Sequence, residues 1–81
     1  MKNNNLNAQT SASQTRRILA YLQNGHRINP IIALQDFGCF RLGARIKDIE
    51  KITGVAPQRR RIKVENREGK EVYVAEYWLE E

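Results

Sequence analysis

The stretch of sequence that decides the fold is INPIIALQDFGCFRLGARIKDIEKITG, residues 28–54. Asn29 and Pro30 mark a helix start, because Asn is a favoured N-cap and Pro is favoured at the first helical position. The apolar spacing that follows predicts a helix from Pro30 to about Phe37, ended by Gly38. We expect this helix to bury one face, made of Ile31, Ala33, Leu34 and Phe37.

A second helical pattern begins almost immediately after Gly38. Leu42, Ile46 and Ile49 recur at i, i+4 and i+7, and they predict a helix over about 40–53 that ends at Gly54. We expect Ile52 or Thr53 to complete its buried stripe, Phe40 to pack the turn and Cys39 to be a small buried residue. Two short helices joined by a tight turn containing glycine form a helix-turn-helix, in which the second helix is presented to a DNA groove.

The flanking sequence completes the predicted architecture. Upstream, a buried stripe (Ile18, Leu19, Tyr21 and Leu22) predicts a first helix with Ser13 as N-cap and Gly25 just beyond its end. Downstream of Pro57 the period changes to two, with turn residues at 66–69, which predicts a β-hairpin. In its last strand Tyr73, Ala75, Tyr77 and Leu79 share one face and Val72, Val74 and Trp78 the other; the terminal residues favour the first set as inward. With Ile28 as a possible short strand between the first two helices, this order predicts an α+β winged helix-turn-helix.

The same residues resemble a known family, the small winged helix-turn-helix proteins of phages and other mobile elements. The pattern INP..AL..FG..RL.ARI.D. carries most of the similarity, supported by QTRRILAYLQNG, NREGK and VAEYWL. The resemblance spans about four fifths of the chain and implies DNA binding. The run Arg59–Arg60–Arg61 is more basic than is typical of the family.

Composition limits the classes of function. The chain has 81 residues and a net charge of +5, with ten basic and four acidic residues between 41 and 70, while the end of the chain is acidic. Cys39 and His26 are each the only residue of their type, so no disulfide, zinc site or other cofactor is expected, and no catalytic constellation is present. We expect residues 1–13 to be a disordered polar tail without a signal peptide, residues 14–81 to form the domain, and the protein to lie in the cytoplasm of a bacterial cell without contacting a membrane.

Arginines of the third helix are the first candidates for DNA recognition. Burial of its isoleucines predicts that Arg41 and Arg45 face the groove beside Asp48, with Lys47 and Lys51 at the margins. The alternative is that Arg45 and Asp48 only pair with each other on a solvated face. We expect the side chains of Arg59, Arg60 and Arg61 to diverge to both faces of the hairpin, and some of them to reach phosphates. Further candidates are Arg67 and Lys70 at the hairpin tip, which could instead serve solubility, and more weakly Arg16 and Arg17 on the first helix.

These observations favour a non-enzymatic protein that binds double-stranded DNA, as a transcriptional regulator or a recombination accessory factor. The alternative is a protein-interaction module whose contact set would be Trp78, Glu76, Glu80 and Glu81. Binding of single-stranded nucleic acid is less favoured, because the aromatic residues are expected in the core. No coiled-coil pattern is present, so we expect a monomer or a weak dimer that assembles on DNA.

Overall fold

Three helices precede a two-stranded antiparallel hairpin, which confirms the predicted α+β winged helix-turn-helix architecture. The computed structural model describes residues 10–80. Its elements are α1 (Ser11–Gln23), α2 (Pro30–Phe37), α3 (Leu42–Thr53), β1 (Gln58–Glu65) and β2 (Glu71–Trp78). The short strand predicted at Ile28 is present as one bridged pair. Ile28 and Tyr77 each donate a backbone N–H to the carbonyl of the other, at 2.9 and 2.8 Å.

The predicted bounds of α2 are confirmed. The Asn29 side-chain oxygen accepts hydrogen bonds from the N–H groups of Ile31 and Ile32 at 2.8 and 3.0 Å, and Pro30 occupies the first turn. Gly38 ends the helix with φ of 62°, a left-handed conformation that glycine adopts without steric cost. Loss of an N-cap such as Asn29 typically costs about 1 kcal/mol, so Asn29 and Pro30 fix where α2 begins.

The N-cap predicted for α1 is wrong. Thr10, not Ser13, caps the helix, and its hydroxyl oxygen accepts the backbone N–H of Ser13 at 3.1 Å. The sequence offers several hydroxyl residues here, and tertiary contacts decide among them, because Arg45 of α3 donates a hydrogen bond to the Ser11 hydroxyl at 2.9 Å. The last residues of the expected tail, 11–13, therefore form the first turn of α1. Its residues 1–9 lie outside the described residues.

The core lies between the three helices and the base of the hairpin. The buried stripe predicted for α3 is confirmed at Leu42, Ile46 and Ile49, as is the burial of Cys39. The buried apolar residues are Ile18, Leu22, Ile28, Ala33, Cys39, Leu42, Ile46 and Ile49, with Tyr77 and Leu79 of the C-terminal strand region packed against them. The inward face favoured for that strand is thus confirmed at its base.

Three apolar residues predicted to be buried are exposed. Leu34 is 45% exposed because α2 turns Ala33 into the core, and Ile32 and Phe37 flank it. Phe40 is 86% exposed because Cys39 fills the turn instead and donates its N–H to the Ala33 carbonyl at 3.0 Å. Ile52 is 60% exposed, and Thr53 is also exposed, so the buried stripe of α3 ends at Ile49.

The register of the hairpin sorts its side chains onto two faces. Directly opposed residues share a face, and the pairs Arg59 with Tyr77, Arg61 with Ala75, and Lys63 with Tyr73 form what we call the inner face. The intervening pairs form the outer face: Gln58 with Trp78, Arg60 with Glu76, and Ile62 with Val74. The inner face is the one that packs on the core at Tyr77.

Candidate nucleic-acid interface

An open groove runs between α3 and the base of the hairpin, and it brings together cations from both elements. Arg41 stands at the N-terminus of α3, Lys47 lies one and a half turns further on, and Arg59 reaches the groove from β1. The complete lining is Arg41, Gly43, Ala44, Ile46, Lys47 and Glu50 from α3 and its cap, and Ala56, Pro57, Arg59 and Tyr77 from the hairpin and its approach. We call this the α3–hairpin groove.

The three cations of the α3–hairpin groove are exposed, and none has an ionic partner. Among residues 10–80, Arg41, Lys47 and Arg59 form no ion pair and no side-chain hydrogen bond. Their charges are therefore available to an external anion. Glu50 is the acidic residue in the lining, and a carboxylate at a DNA surface can accept a hydrogen bond from cytosine N4.

The N-terminal part of α3 presents small side chains to the groove. A Cβ atom added at Gly43 would meet no other atom within 4 Å, so the space beside this turn is open. The next residue is Ala44, which also lines the groove. Arg41 occupies the N-cap position without a side-chain cap hydrogen bond. A nucleic acid could therefore approach the backbone of α3 closely at the positive end of its helix dipole.

Arg45 does not line this groove, although we expected it to face DNA together with Arg41. Its Nε donates to Asp48 Oδ2 at 3.0 Å, and its Nη1 donates to the Ser11 hydroxyl of α1 at 2.9 Å. The Thr15 hydroxyl lies 3.3 Å from the same Asp48 oxygen and 2.8 Å from the Ser11 carbonyl oxygen. We call these four residues the α1–α3 clamp. The predicted pairing of Arg45 with Asp48 forms, but the Arg45 side chain is only 15% exposed and does not lie on a solvated face.

The three consecutive arginines of β1 diverge to both faces of the hairpin, as predicted. Arg59 and Arg61 lie on the inner face, and the Arg61 guanidinium carbon is 4.8 Å from the centre of the Tyr73 ring. Arg60 lies on the outer face, where its Nε donates to Glu76 Oε1 at 2.9 Å and its guanidinium carbon is 5.8 Å from the Trp78 ring centre. Arg60 is thus separated from the groove by the sheet.

The inner face continues the cationic surface outward from the groove. Lys63 lies 5.8 Å from the centre of the Tyr73 ring and forms an exposed ion pair with Glu71 at 3.4 Å. Tyr73 is itself 59% exposed. The next pair on this face is Glu65 with Glu71, so the part of the inner face that is attractive to a polyanion ends at Lys63.

The remaining predicted residues are not brought to the groove. Arg67 and Lys70 are exposed in the hairpin turn, at the end of the sheet opposite the groove; the Asn66 side-chain oxygen fixes this turn by accepting the N–H groups of Glu68 and Lys70, each at 2.9 Å. Arg17 lies over the Phe37 ring at 5.3 Å and donates to the Asp36 carbonyl at 3.5 Å, which ties α1 to α2.

Arg16 lies on the other side of α3 from the groove. Together with Leu19, Lys51 and Ile52 it lines a shallow depression between α1 and α3, next to the α1–α3 clamp. Lys51, expected at the margin of the DNA-binding face, is therefore placed at the edge that faces α1.

Sequence reasoning missed the uncharged part of the site. Gly43, Ala44 and Pro57 line the groove, as does the acidic residue Glu50. A signal was present, because helical spacing places Gly43, Lys47 and Glu50 on a common face away from the buried Leu42 and Ile49. Gly43, Ala44 and Pro57 carry no positive charge, so the sequence did not mark them as candidates for binding an anion.

Among the described residues no helix combines the length and hydrophobicity needed to cross a membrane, and no three His, Cys, Asp or Glu side chains are grouped to hold a metal ion.

The comparisons with known proteins agree with this architecture. Searches of curated proteins and of solved structures gave no significant match. A family model described as a winged helix-turn-helix domain matches residues 13–81, and such domains are typically non-enzymatic DNA-binding modules. The chain belongs to this winged helix-turn-helix domain family.

Proposed function

We propose that this protein binds double-stranded DNA through the α3–hairpin groove, with α3 in the major groove and the inner face of the hairpin on the adjacent backbone or minor groove. The observation that carries this proposal is the convergence of Arg41, Lys47 and Arg59 on one open groove without ionic partners. We further propose that it serves a phage or another mobile element in the bacterial cytoplasm, as a transcriptional regulator or a recombination accessory factor.

The dimensions of α3 suit this role. The helix has 12 residues, which corresponds to a length of about 18 Å. The major groove of B-DNA is about 12 Å wide and admits an α-helix. With α3 in that groove, Arg41 is positioned to donate two hydrogen bonds to a guanine, and Arg59, Arg61 and Lys63 follow the phosphates from the hairpin.

The alternative, a protein-interaction module, has less support because two residues of its expected contact set, Glu76 and Trp78, are engaged within the domain. The Glu76 side chain is 15% exposed and accepts hydrogen bonds from Arg27 at 3.3 Å and from Arg60 at 2.9 Å. Trp78 is partly buried, and the Arg27 guanidinium carbon lies 4.1 Å from its ring centre. An interface anchor is more effective when its ring is free to enter a partner's pocket.

Salt dependence of binding tests the proposal. Fluorescence anisotropy with a mixed-sequence duplex should show affinity falling steeply with salt, with a slope of about −0.9 in log K against log salt for each phosphate contact. The Arg59→Ala variant should lose about one such contact. The matched control is Arg60→Ala, which removes the neighbouring arginine from the outer face and should leave the slope unchanged.

Two outcomes would contradict the proposal. A protein that does not bind duplex DNA at low salt cannot have this function, and the protein-interaction alternative would then be preferred. Equal loss of slope in Arg59→Ala and Arg60→Ala would mean that the α3–hairpin groove is not the site. If the protein does bind duplex DNA, a target site is selected from a random duplex library. A reporter assay on that site then separates a transcriptional regulator from a recombination accessory factor.

A further inference from the structure

Phe40 differs from every other aromatic residue of the chain. It is 86% exposed, and it makes no ring contact among residues 10–80. The five others are all engaged: Tyr21 with His26 and Phe37, Tyr73 and Trp78 with cations, and Tyr77 with the core. The fold therefore leaves one large apolar ring in water at this point, although burial of a Phe side chain is normally favourable.

Phe40 lies next to the proposed DNA-binding site along the chain, although it is not one of the residues that line the groove. Phe40 directly precedes Arg41, the N-cap residue of α3 that lines the α3–hairpin groove. The first turn of α3 adds only small side chains to the groove, Gly43 and Ala44, with open space beside Gly43.

The major-groove edge of duplex DNA carries an apolar group that such a ring can contact, the C5-methyl group of thymine. The other bases present no methyl group in the major groove, so an aromatic side chain has no apolar group to pack against at their edges. We propose that Phe40 is a specificity-determining residue that recognises thymine by packing on this methyl group. The inference rests on the proposed function, because it requires the N-terminus of α3 to enter the major groove.

Replacement of thymine by deoxyuridine tests this inference, because deoxyuridine lacks only the methyl group. A target site is first selected from a random duplex library with the wild-type protein. Each thymine of that site is then replaced in turn by deoxyuridine, and the affinities of the wild type and the Phe40→Ala variant are measured. The matched control is Ile52→Ala, which removes another exposed apolar side chain from the opposite side of α3.

For the wild type, one replacement should weaken binding by about fourfold, the effect expected for one buried methyl group. Phe40→Ala should weaken binding to the thymine site by at least as much and should no longer distinguish thymine from deoxyuridine at that position. Ile52→Ala should retain the distinction. Circular dichroism should show that all the variants are folded.

Two results would overturn the inference while leaving the proposed function intact. One is that Phe40→Ala still prefers thymine, and the other is that it weakens binding to every duplex equally. If the wild type fails to bind any duplex at low salt, the proposed function fails first, and the role of Phe40 in DNA recognition fails with it.

Discussion

The two sides of α3 carry similar residues but have different tasks. On one side, Arg45 donates to the Ser11 hydroxyl of α1 at 2.9 Å, and Asp48 accepts from the Thr15 hydroxyl of α1 at 3.3 Å. On the other side, Arg41 and Lys47 face an open groove and have no ionic partner among the described residues. A cation can serve an external ligand only where the fold supplies no internal acceptor, and this difference separates the two sides.

The hairpin shows the same division on a smaller scale. Arg60 is held by Glu76 on the outer face, whereas Arg59 lies on the inner face and lines the groove. Adjacent residues of a strand point to opposite faces, so three consecutive arginines cannot act together on one ligand. The basic run of the sequence is therefore divided between packing and binding.

The largest expected effect is that of Arg41→Ala on DNA affinity. If Arg41 donates two hydrogen bonds to a guanine, its removal should weaken binding to the selected site by about tenfold to a hundredfold. The free energy of unfolding should hardly change, because among residues 10–80 the Arg41 side chain has no ion pair, hydrogen bond or ring contact that would be lost. Anisotropy titrations and urea unfolding measure the two quantities.

Arg16→Ala is the matched control for Arg41→Ala, because it removes an exposed arginine from the α1 side of α3. Its affinity for the selected site should remain within about twofold of the wild type, a difference of about 0.4 kcal/mol. Equal losses in the two variants would show that the two sides of α3 do not differ in DNA recognition.

The next largest expected effect is that of Arg45→Ala, which disrupts the α1–α3 clamp and lowers the stability of the domain. Arg45→Ala should lower the free energy of unfolding by about 1 kcal/mol, because it removes a part-buried hydrogen bond to Asp48 and an exposed one to Ser11. At temperatures well below the unfolding transition, the base preference should be retained. Thermal unfolding and repeated site selection test both statements.

A double-mutant cycle between Arg45→Ala and Asp48→Ala isolates the clamp from other effects of each substitution. A clear coupling energy is expected. If Arg45→Ala instead alters base preference without changing stability, Arg45 reads bases and the comparison of the two sides fails.

The smallest expected effect is that of Gly43→Ala, which should raise the stability of the domain and lower its affinity for DNA. Gly43→Ala should stabilise the domain by about 0.5–1 kcal/mol, because Gly is unfavourable within a helix and the added methyl group meets no other atom within 4 Å. The same methyl group projects into the groove and should reduce DNA affinity, though by less than Arg41→Ala does. An increase in both stability and affinity would contradict a close approach of DNA to this turn.

The architecture could be predicted because local signals agreed with one another. The Asn29–Pro30 start, the Gly38 and Gly54 ends and the change of period after Pro57 each have one straightforward structural interpretation. Burial was less predictable within α2, where the small residue Ala33 sets the close approach to α1 and leaves Leu34 exposed. Periodicity identifies the apolar face of a helix, but the elements packed against that face decide which of its residues are buried most deeply.

The candidate site could be predicted only in part, because partners distant in sequence decide which cations are free. Arg41 and Arg45 look equivalent in the sequence, and only the contact of Arg45 with Ser11, 34 residues away, distinguishes them. For Phe40 the sequence suggested an anchor of the turn. The structure gives that place to Cys39, which left the ring to be explained by something outside the domain.

The central claim is that DNA occupies the groove between α3 and the hairpin, and an NMR titration tests it most directly. Adding a short duplex to the ¹⁵N-labelled protein should shift the amide signals of the groove residues Arg41, Gly43, Lys47 and Arg59, while those of Ser11 and Thr15 in α1 change little. Shifts concentrated around Ser11 and Thr15, with the signals of Arg41 and Arg59 unmoved, would contradict the account.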